Sequence, residues 1–308
     1  MSKKQIDTLS EQQLADRRLG IGGSDVGAIL GLSPWKSPLD VYYEKIGEAG
    51  PSMASERMYW GQRLEAVVAE EYCARHQRQV RRKKQTIVDK RRPWMRANID
   101  RIVLRLDRLL ECKTTGERNA DQWGEPGSDQ IPTLYMAQCQ HYLVVTELPA
   151  IDVAVLIGGQ EYRDYTVESD PEIRDMLIEE EHRFWHEHVE ARVPPAPRSV
   201  EEAARLWPRH SDASAIATPE VEDACRRLAE IKAAKSELER EEKERKLEVE
   251  QAMGEAGVLL DADGRRTLAA WKHEQRSSID TKALKSEQPE IAERYQRTTD
   301  MRRFLLKT

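Results

Sequence analysis

Three side chains with complementary chemistry lie close together in residues 98–114, NIDRIVLRLDRLLECKT. They are Asp100, Glu111 and Lys113. Two apolar runs flank a polar break at residues 105–108, and this pattern predicts a β-hairpin. Two carboxylates and one amine on a single hairpin are able to meet in one small volume.

The periodicity of a strand decides which of these side chains share a face. Successive side chains alternate, so Glu111 and Lys113 point the same way and Cys112 points the other way. A turn centred at residues 106–107 would place Asp100 opposite Lys113 and diagonal to Glu111, within about 8 Å. We therefore expect the two carboxylates to be able to share one ion.

Metal-assisted phosphodiester hydrolysis requires such a set. Mg²⁺ takes a few carboxylate oxygens and keeps water or substrate oxygens in its other positions. It lowers the pKa of bound water and neutralises phosphate charge, and a nearby lysine orients the water or adds positive charge. The alternative is that these three residues lie on the solvent-exposed face of an ordinary strand pair, since 34% of the residues in the chain are charged.

Composition excludes several classes of protein. The chain has 308 residues and a formal net charge of −6, with enough apolar content for a core. It shows no long apolar run and no signal-like N-terminus, so we expect no membrane partner and a cytoplasmic location. The four cysteines lack the spacing of metal ligands, and we expect reduced thiols without structural zinc: Cys73, Cys112, Cys139 and Cys225.

The charge is unevenly distributed. Residues 75–96 contain ten Lys or Arg residues and one acid, Asp89. Such a run is suited to holding a phosphate backbone, and it is also typical of a solvated loop and strand edge.

A second candidate site lies near the N-terminus. Arg17 and Arg18 precede a glycine-rich turn, and Ser24 is the predicted N-cap of a helix that runs through Leu30. The backbone N–H groups of such a helix start, with an arginine beside them, are able to hold a DNA phosphate. An ordinary capped helix after a flexible turn is the alternative.

Two predicted helices each carry a polar residue on an apolar face. In the helix of residues 55–75, Glu65 shares a stripe with Met58, Gly61, Val68 and Tyr72. A buried carboxylate needs a partner, so Glu65 either faces the hairpin site or reaches solvent at the rim.

The other such helix runs from Pro132 through Val145. Gln138 shares its stripe with Leu134, Tyr142 and Val145. Its amide either bonds a catalytic group or a phosphate, or is satisfied by the backbone.

The order of elements predicts an α/β (α+β) fold, with a mixed central sheet covered by helices. The proline-rich segment at residues 193–197 marks a boundary, so we expect one domain at 1–195 and a C-terminal extension at 199–308. The other predicted elements are a helical or frayed lead-in at 1–16, strands at 151–157 and 162–167, a helix at 171–189, a long charged helix at 219–253, a hairpin at 257–273, short helices at 280–295 and a final strand at 302–307.

Four motifs in order resemble the YqaJ-like viral recombinase family, phage-type exonucleases related to the lambda exonuclease within the PD-(D/E)xK nuclease superfamily. They are RRLGIGGSDVGAILGLSPW, WGQRLEAVVAEEY, NIDRIV with LLECKT, and YMAQCQHYL. The resemblance covers roughly residues 15–167 and implies the PD-(D/E)xK restriction-endonuclease-like core. The chain departs from the superfamily pattern at Ile99, where the pattern has proline.

The resemblance also implies roles for individual residues. Asp100 and Glu111 would bind the metal with the backbone carbonyl of Cys112, and Lys113 would assist the attacking water. Glu65 would be a further active-site acid and Gln138 would complete the site. Arg18 and Ser24 would hold the DNA phosphate, with Arg17 as the alternative to Arg18.

The activity that the resemblance implies is a Mg²⁺-dependent exonuclease, with Mn²⁺ able to substitute, that digests double-stranded DNA ends processively from 5′ to 3′. Relatives form rings and work with a single-strand annealing protein. A PD-(D/E)xK endonuclease and a non-catalytic DNA-binding or assembly module are the alternatives. Residues 199–308 contain no residue set that suggests catalysis.

Overall fold

The computed structural model describes residues 11–50, 55–298 and 301–307. The first ten residues of the predicted lead-in therefore lie outside the described residues. The chain divides into two compact units, residues 1–202 and residues 203–308.

The first unit contains most of the regular structure. Its helices are α1 (Glu11–Arg18), α2 (Gly23–Ile29), α3 (Pro38–Ile46), α4 (Glu56–His76), α5 (Thr133–Thr146) and α6 (Pro171–Arg183), and α7 (Val200–Leu206) begins within it. Its strands are β1 (Ile21–Gly22), β2 (Val80–Arg82), β3 (Ile87–Val88), β4 (Met95–Ala97), β5 (Arg101–Val103), β6 (Arg108–Thr115), β7 (Ala150–Ile157) and β8 (Glu161–Glu168). A 3₁₀ helix, Glu117–Gln122, follows β6, and π-helical turns, Phe184–Glu190, continue α6.

The central sheet has the strand order β2-β5-β6-β7-β8. β6 and β7 are parallel, and the other neighbours are antiparallel. Two parallel neighbours need a crossover, which α5 supplies between them. The predicted mixed sheet covered by helices is confirmed, and a smaller sheet of order β1-β4-β3 lies beside α5.

The two faces of the central sheet have different environments. On one face α4 packs against the strands in a cluster of buried residues: Val68, Ala69, Tyr72, Val103, Leu110 and Ala154. On the other face lies α5, because its Gln138 bonds to Glu111 and Lys113, which alternate with residues of that cluster along β6. Glu111 and Lys113 therefore face α5.

The hairpin is present, but its predicted register is wrong. Arg101 pairs with Leu110 and Val103 with Arg108, and Arg105 in the intervening turn has φ 65°. The turn is centred one residue earlier than expected, so Asp100, the residue before β5, precedes the partner of Leu110. Continuing this register places Asp100 beside Glu111 rather than opposite Lys113.

The second unit contains a long helix and a small hairpin, as the sequence predicts. Its helices are α8 (Pro219–Met253), α9 (Thr281–Glu287) and α10 (Pro289–Arg294), and its strands are β9 (Val258–Leu260) and β10 (Thr267–Ala270). Nearly all of α8 is exposed within the chain. The strand predicted at 302–307 is wrong, since residues 301–307 form no regular element.

None of the helices in the described parts of the chain is both long enough and apolar enough to cross a membrane.

Candidate active site

One hydrogen-bonded network joins β6 to α5. Lys113 Nζ donates to Glu111 Oε1 at 2.6 Å and to Gln138 Oε1 at 3.0 Å. Gln138 Nε2 in turn donates to Glu111 Oε1 at 2.8 Å. An ammonium has three N–H donors, so one remains after these two contacts. Gln138 bonds side chains of the site, and the alternative of a glutamine satisfied by backbone is wrong.

Asp100 is fixed next to this network by the backbone of β6. Its Oδ2 accepts a hydrogen bond from the Cys112 N–H at 2.8 Å. Burial, and after it the charge of Glu111, raise the pKa of Asp100 to about 8. Two neighbouring carboxylates in a partly buried site favour a cation between them.

At Lys113 the neighbouring groups favour the charged form of the side chain. Burial disfavours its ammonium, but the charge of Glu111 and the hydrogen bond to it outweigh burial, so the pKa of Lys113 is raised. The ring of Tyr135 lies 4.7 Å from Nζ and adds a cation–π contact. Lys113 is therefore a fixed positive charge and hydrogen-bond donor in this site.

The donor set fits a hard divalent ion. Glu111 Oε2 is buried and has no hydrogen-bond partner among the described residues, although its other oxygen has two. Such an atom is costly unless a ligand satisfies it. Cys112 contributes a carbonyl on the side of Asp100, since the N–H and C=O of a strand residue point to the same neighbour.

The fit depends on that backbone carbonyl. Across the described part of the chain, no group of three or more His, Cys, Asp or Glu side chains is placed to hold a metal. Asp100 and Glu111 are two such side chains, and Mg²⁺ commonly uses one or two protein carboxylates and completes its shell with water and substrate oxygens.

Glu65 lies near the site and is held by an arginine. Arg101 Nη1 donates to Glu65 Oε1 at 2.5 Å and to the carbonyl of Asp100 at 2.8 Å. The charge of Glu65 is close enough to contribute to the raised pKa of Asp100. The apolar face predicted for this helix is buried at Val68 and Tyr72, whereas Met58 is 51% exposed. Arg101 was missed because its contact with Glu65 depends on how α4 docks on the sheet.

The N-terminal candidate site differs from the prediction in two respects. The N-cap of α2 is Gly22, not Ser24, and its N–H donates to Asp25 Oδ2 at 3.1 Å. Ser24 Oγ instead accepts from Arg17 Nη2 at 3.3 Å. Arg18 lies against Gly47, where an added Cβ would be 3.2 Å from its Cζ. The structure thus brings Ser24 together with Arg17 and not with Arg18.

A buried ion cluster, which sequence reasoning missed, supports this pair. Lys45 Nζ donates to Asp25 Oδ2 at 2.5 Å and to the Arg17 carbonyl at 2.8 Å. Lys36 Nζ donates to Asp25 Oδ1 at 2.9 Å. Burial opposes the charge of Asp25, but Lys45 and Lys36 outweigh it and lower the pKa of Asp25. The clue in the sequence was Asp25, an acidic residue in the otherwise uncharged sequence of α2.

The two candidate sites touch each other. A Cβ on Gly23 would be 2.5 Å from Tyr142 Cε1 and 3.0 Å from Gln138 Cγ. Gln138 also donates to the Tyr142 hydroxyl at 2.9 Å, and that hydroxyl donates to the Asn98 carbonyl at 3.0 Å. The start of α2 therefore lies directly against the glutamine that bonds Glu111 and Lys113.

Comparison with known proteins decides the family. The YqaJ-like viral recombinase domain family matches residues 13–149. The uncharacterized protein YqaJ of Bacillus subtilis (strain 168) is 33% identical over 312 residues, which cover 99% of this chain and 96% of that protein. The chain belongs to the YqaJ-like viral recombinase family. The family match spans α2, α4, the hairpin of β5 and β6, and α5.

The solved structures that the chain resembles are more distant in sequence. The alkaline exonuclease LHK-Exo from Laribacter hongkongensis is 16% identical with a TM-score of 0.48, covering 64% of this chain and 100% of that one. LHK-Exo in complex with dAMP gives the same values, with 97% of that chain covered. A phage-related exonuclease from Haemophilus somnus 129PT is 9% identical with a TM-score of 0.45, covering 56% of this chain and 96% of that one.

Proposed function

We propose that this YqaJ-like protein is a metal-dependent DNA nuclease that digests double-stranded ends. The observation that carries the proposal is the arrangement around Glu111. One oxygen of its carboxylate bonds Lys113 and Gln138, while the other is buried near Asp100 and has no hydrogen-bond partner in the described segments. A purely structural carboxylate would have its second oxygen satisfied as well.

Asp100, Glu111 and the carbonyl of Cys112 would hold Mg²⁺, or Mn²⁺ in its place. When bound, the ion supplies Lewis-acid stabilisation of the phosphate charge and a water of lowered pKa. Its ligands come from one strand and the residue before the paired strand, so the sheet fixes their geometry.

Lys113 would orient the attacking water and stabilise negative charge in the transition state. Its remaining N–H is free for this contact, while the other two keep the side chain in place. Gln138 would act as a positioning residue, because it holds both Lys113 and Glu111. Glu65 would complete the acidic edge of the site, with Arg101 setting its position.

Arg17 and Ser24 would bind a terminal phosphate of the DNA. Their side chains meet at the start of α2, next to Gln138. Arginine is suited to phosphate because its planar group presents several donors. Recognition of a terminal phosphate beside the metal ligands would favour ends over internal positions.

The finer parts of the proposal rest on family membership. They are 5′ to 3′ polarity, a ring of identical chains that encloses the duplex and makes digestion processive, and delivery of the resulting single strand to an annealing protein within the cell. Strands labelled at either end test polarity, and light scattering tests the ring.

The test of the central proposal is digestion of linear and closed-circular duplex DNA with Mg²⁺ or with EDTA. The linear DNA carries a 5′-phosphate or a 5′-hydroxyl. We expect loss of linear DNA alone, only with Mg²⁺, and fastest with the 5′-phosphate. Cutting of closed circles would identify an endonuclease instead. Binding of DNA without hydrolysis of either form would identify a non-catalytic module.

A further inference from the structure

The basic run of residues 75–96 contains cations of two kinds. Six have partners: Arg75 with Glu71, Arg78 with Asp152, Arg82 with Glu65, Arg91 with Glu147, Arg92 with Asp89, and Arg96 with the Leu19 carbonyl. The other four have no carboxylate within ion-pair distance among the described residues: Arg81, Lys83, Lys84 and Lys90. Three of these four are nearly consecutive.

The three neighbours lie at one edge of the central sheet. β2 is an edge strand, and its Arg82 pairs with Arg101 at the start of β5. Lys83 is thus the residue after β2, and Asp100 is the residue before β5, at the same end of the paired strands. These cations therefore lie at the end of the sheet that carries Asp100.

The strand register also places Arg81 on the face of the catalytic residues. Arg81 pairs with Ile102, and Ile102 pairs with Leu109. Leu109 has the parity of Glu111 and Lys113 along β6, and the opposite parity to Leu110 in the cluster against α4. Arg81 therefore projects to the same side of the sheet as the two catalytic residues of β6.

We infer that Arg81, Lys83 and Lys84 form a track for the sugar–phosphate backbone of duplex DNA beside the metal site. We call these residues the β2 track. The inference rests on the proposed nuclease function and adds the residues that hold the substrate away from the reacting bond. Arg81 and Lys84 are exposed, Lys83 is half-buried, and none is neutralised by an acid within the part of the chain that the structure describes.

The spacing of the sheet sets how far the track lies from the reaction. β2 is two strands away from β6, which is about 10 Å at about 4.8 Å per strand. One strand of duplex DNA advances about 3.4 Å per phosphate along the axis. The β2 track would therefore contact phosphates about three nucleotides from the bond that is cleaved.

The alternative is that these cations only protect an exposed strand edge from pairing with other chains. The two readings differ in salt dependence. A cation that neutralises a phosphate releases a counterion, so its removal lowers the slope of log K against log salt by about 0.9 for each lost contact. Edge protection leaves that slope unchanged.

The experiment measures binding of the full chain to a linear duplex in EDTA, over a series of salt concentrations. The variants are Lys83→Gln, Lys84→Gln and Arg81→Gln, singly and combined. Lys90→Gln is the matched control, since Lys90 is the fourth unpartnered cation of the same run. Its neighbour Arg91 pairs with Glu147 at the C-terminus of α5, away from β2.

We expect the triple variant to lower the slope by about two to three and Lys90→Gln to leave it unchanged. A duplex with one neutral methylphosphonate, moved one position at a time, should weaken wild-type binding about three nucleotides from the cut. The triple variant should be insensitive to that position. Equal slopes for the triple variant and wild type, or equal losses for the triple variant and Lys90→Gln, would overturn the β2 track.

Failure of the track and failure of the nuclease proposal are distinguishable, because binding is measured in EDTA. A lowered slope in the triple variant, with wild-type protein that binds DNA but never cuts it with Mg²⁺, would keep the track and refute the nuclease. Wild-type protein that cuts, with no change of slope in the variants, would do the reverse.

Discussion

Gly23 and Tyr142 lie in contact, with the Cα of the glycine placed so that a Cβ would be 2.5 Å from the tyrosine ring. No side chain fits there without moving the ring. Because Tyr142 and Gln138 share a hydrogen bond, such a movement would reach the network of Lys113 and Glu111.

Gly23→Ala should therefore impair cleavage by more than its effect on folding explains. Overpacking of this kind costs about 1–3 kcal/mol of stability, and the displaced Gln138 would lower the cleavage rate of protein that remains folded. The measurements are the free energy of unfolding and the rate of cleavage per folded molecule.

Gly61→Ala is the matched control, since it is also a glycine at a helical position. Its Cβ would meet only the Thr114 hydroxyl at 3.8 Å. We expect it to stabilise the protein by about 0.5–1 kcal/mol through helix propensity. If the two variants cleave DNA equally well, the contact between the two sites has no functional role.

Asp100→Asn should separate metal binding from folding. Asparagine keeps an oxygen that can accept from the Cys112 N–H, but it removes one of two adjacent carboxylates. We expect cleavage to fall by about a hundredfold or more, since a ligand of the catalytic ion contributes several kcal/mol. In EDTA at pH 8 the variant should melt at a temperature no lower than wild type.

Mg²⁺ supplies the second readout for this variant. It should raise the Tm of wild type, because a bound ion would satisfy Asp100 and the oxygen of Glu111 that has no partner among the described residues. The Tm of Asp100→Asn should barely respond to Mg²⁺, whereas Glu179→Gln, an exposed acid on α6, should respond as wild type does. A Tm of Asp100→Asn that rises as much as that of wild type would place the metal elsewhere.

Sequence periodicity was sufficient to place the candidate catalytic residues of the hairpin on one face, although the predicted register was wrong. The error in register was two residues, because the turn adopts a positive φ at Arg105 and is centred one position earlier. A shift of two residues preserves the alternation of faces, so Asp100, Glu111 and Lys113 still face the same side. It changes only which pairs are adjacent.

Long-range ion pairs were beyond sequence reasoning. Lys45 reaches Asp25 from a helix twenty positions away, and Arg101 reaches Glu65 across the sheet edge. Neither pair follows a periodic spacing, since each depends on how α3 or α4 docks. The short strands β1 to β4 were also missed, because elements of two or three residues carry too little pattern. Helix α3, which has nine residues, was missed as well.

The buried pair of His141 and Glu181 should make stability depend on pH. His141 Nδ1 lies 2.9 Å from Glu181 Oε1, its Nε2 lies 2.9 Å from the Arg96 carbonyl, and both side chains of the pair are fully buried. Burial opposes the imidazolium, but the charge and hydrogen bond of Glu181 outweigh it and raise the pKa of His141.

A raised pKa in the folded state stabilises the protein fully below the unfolded value of about 6.5. That stabilisation is lost as the pH rises through the folded value. His141→Gln should cost about 3–5 kcal/mol at pH 6, because it leaves a buried carboxylate unpaired. The difference between wild type and variant in chemical denaturation should shrink between pH 6 and pH 9, and a constant difference would show that His141 is neutral throughout.

Recognition of a terminal phosphate should depend on Arg17 and not on Arg18. The two arginines are adjacent in sequence, carry the same charge and would be removed by the same substitution. Only Arg17 bonds Ser24, and its backbone carbonyl is fixed by Lys45, whereas Arg18 lies against Gly47. A hydrogen bond to a charged group contributes about 1.5–3 kcal/mol, which corresponds to at least about tenfold in rate or affinity. Arg17→Ala should therefore reduce the preference for 5′-phosphorylated over 5′-hydroxyl ends by about tenfold or more.

Arg18→Ala is the control in the same assay, with both ends offered in competition so that a general loss of activity cancels. It should keep the preference of wild type. Ser24→Ala should lower the preference in the same direction as Arg17→Ala, and the double variant should add little, because both side chains would contact one phosphate. If Arg18→Ala loses the preference and Arg17→Ala keeps it, then Arg18 must turn away from Gly47 when DNA binds. In that case Arg18, and not Arg17, forms the phosphate site.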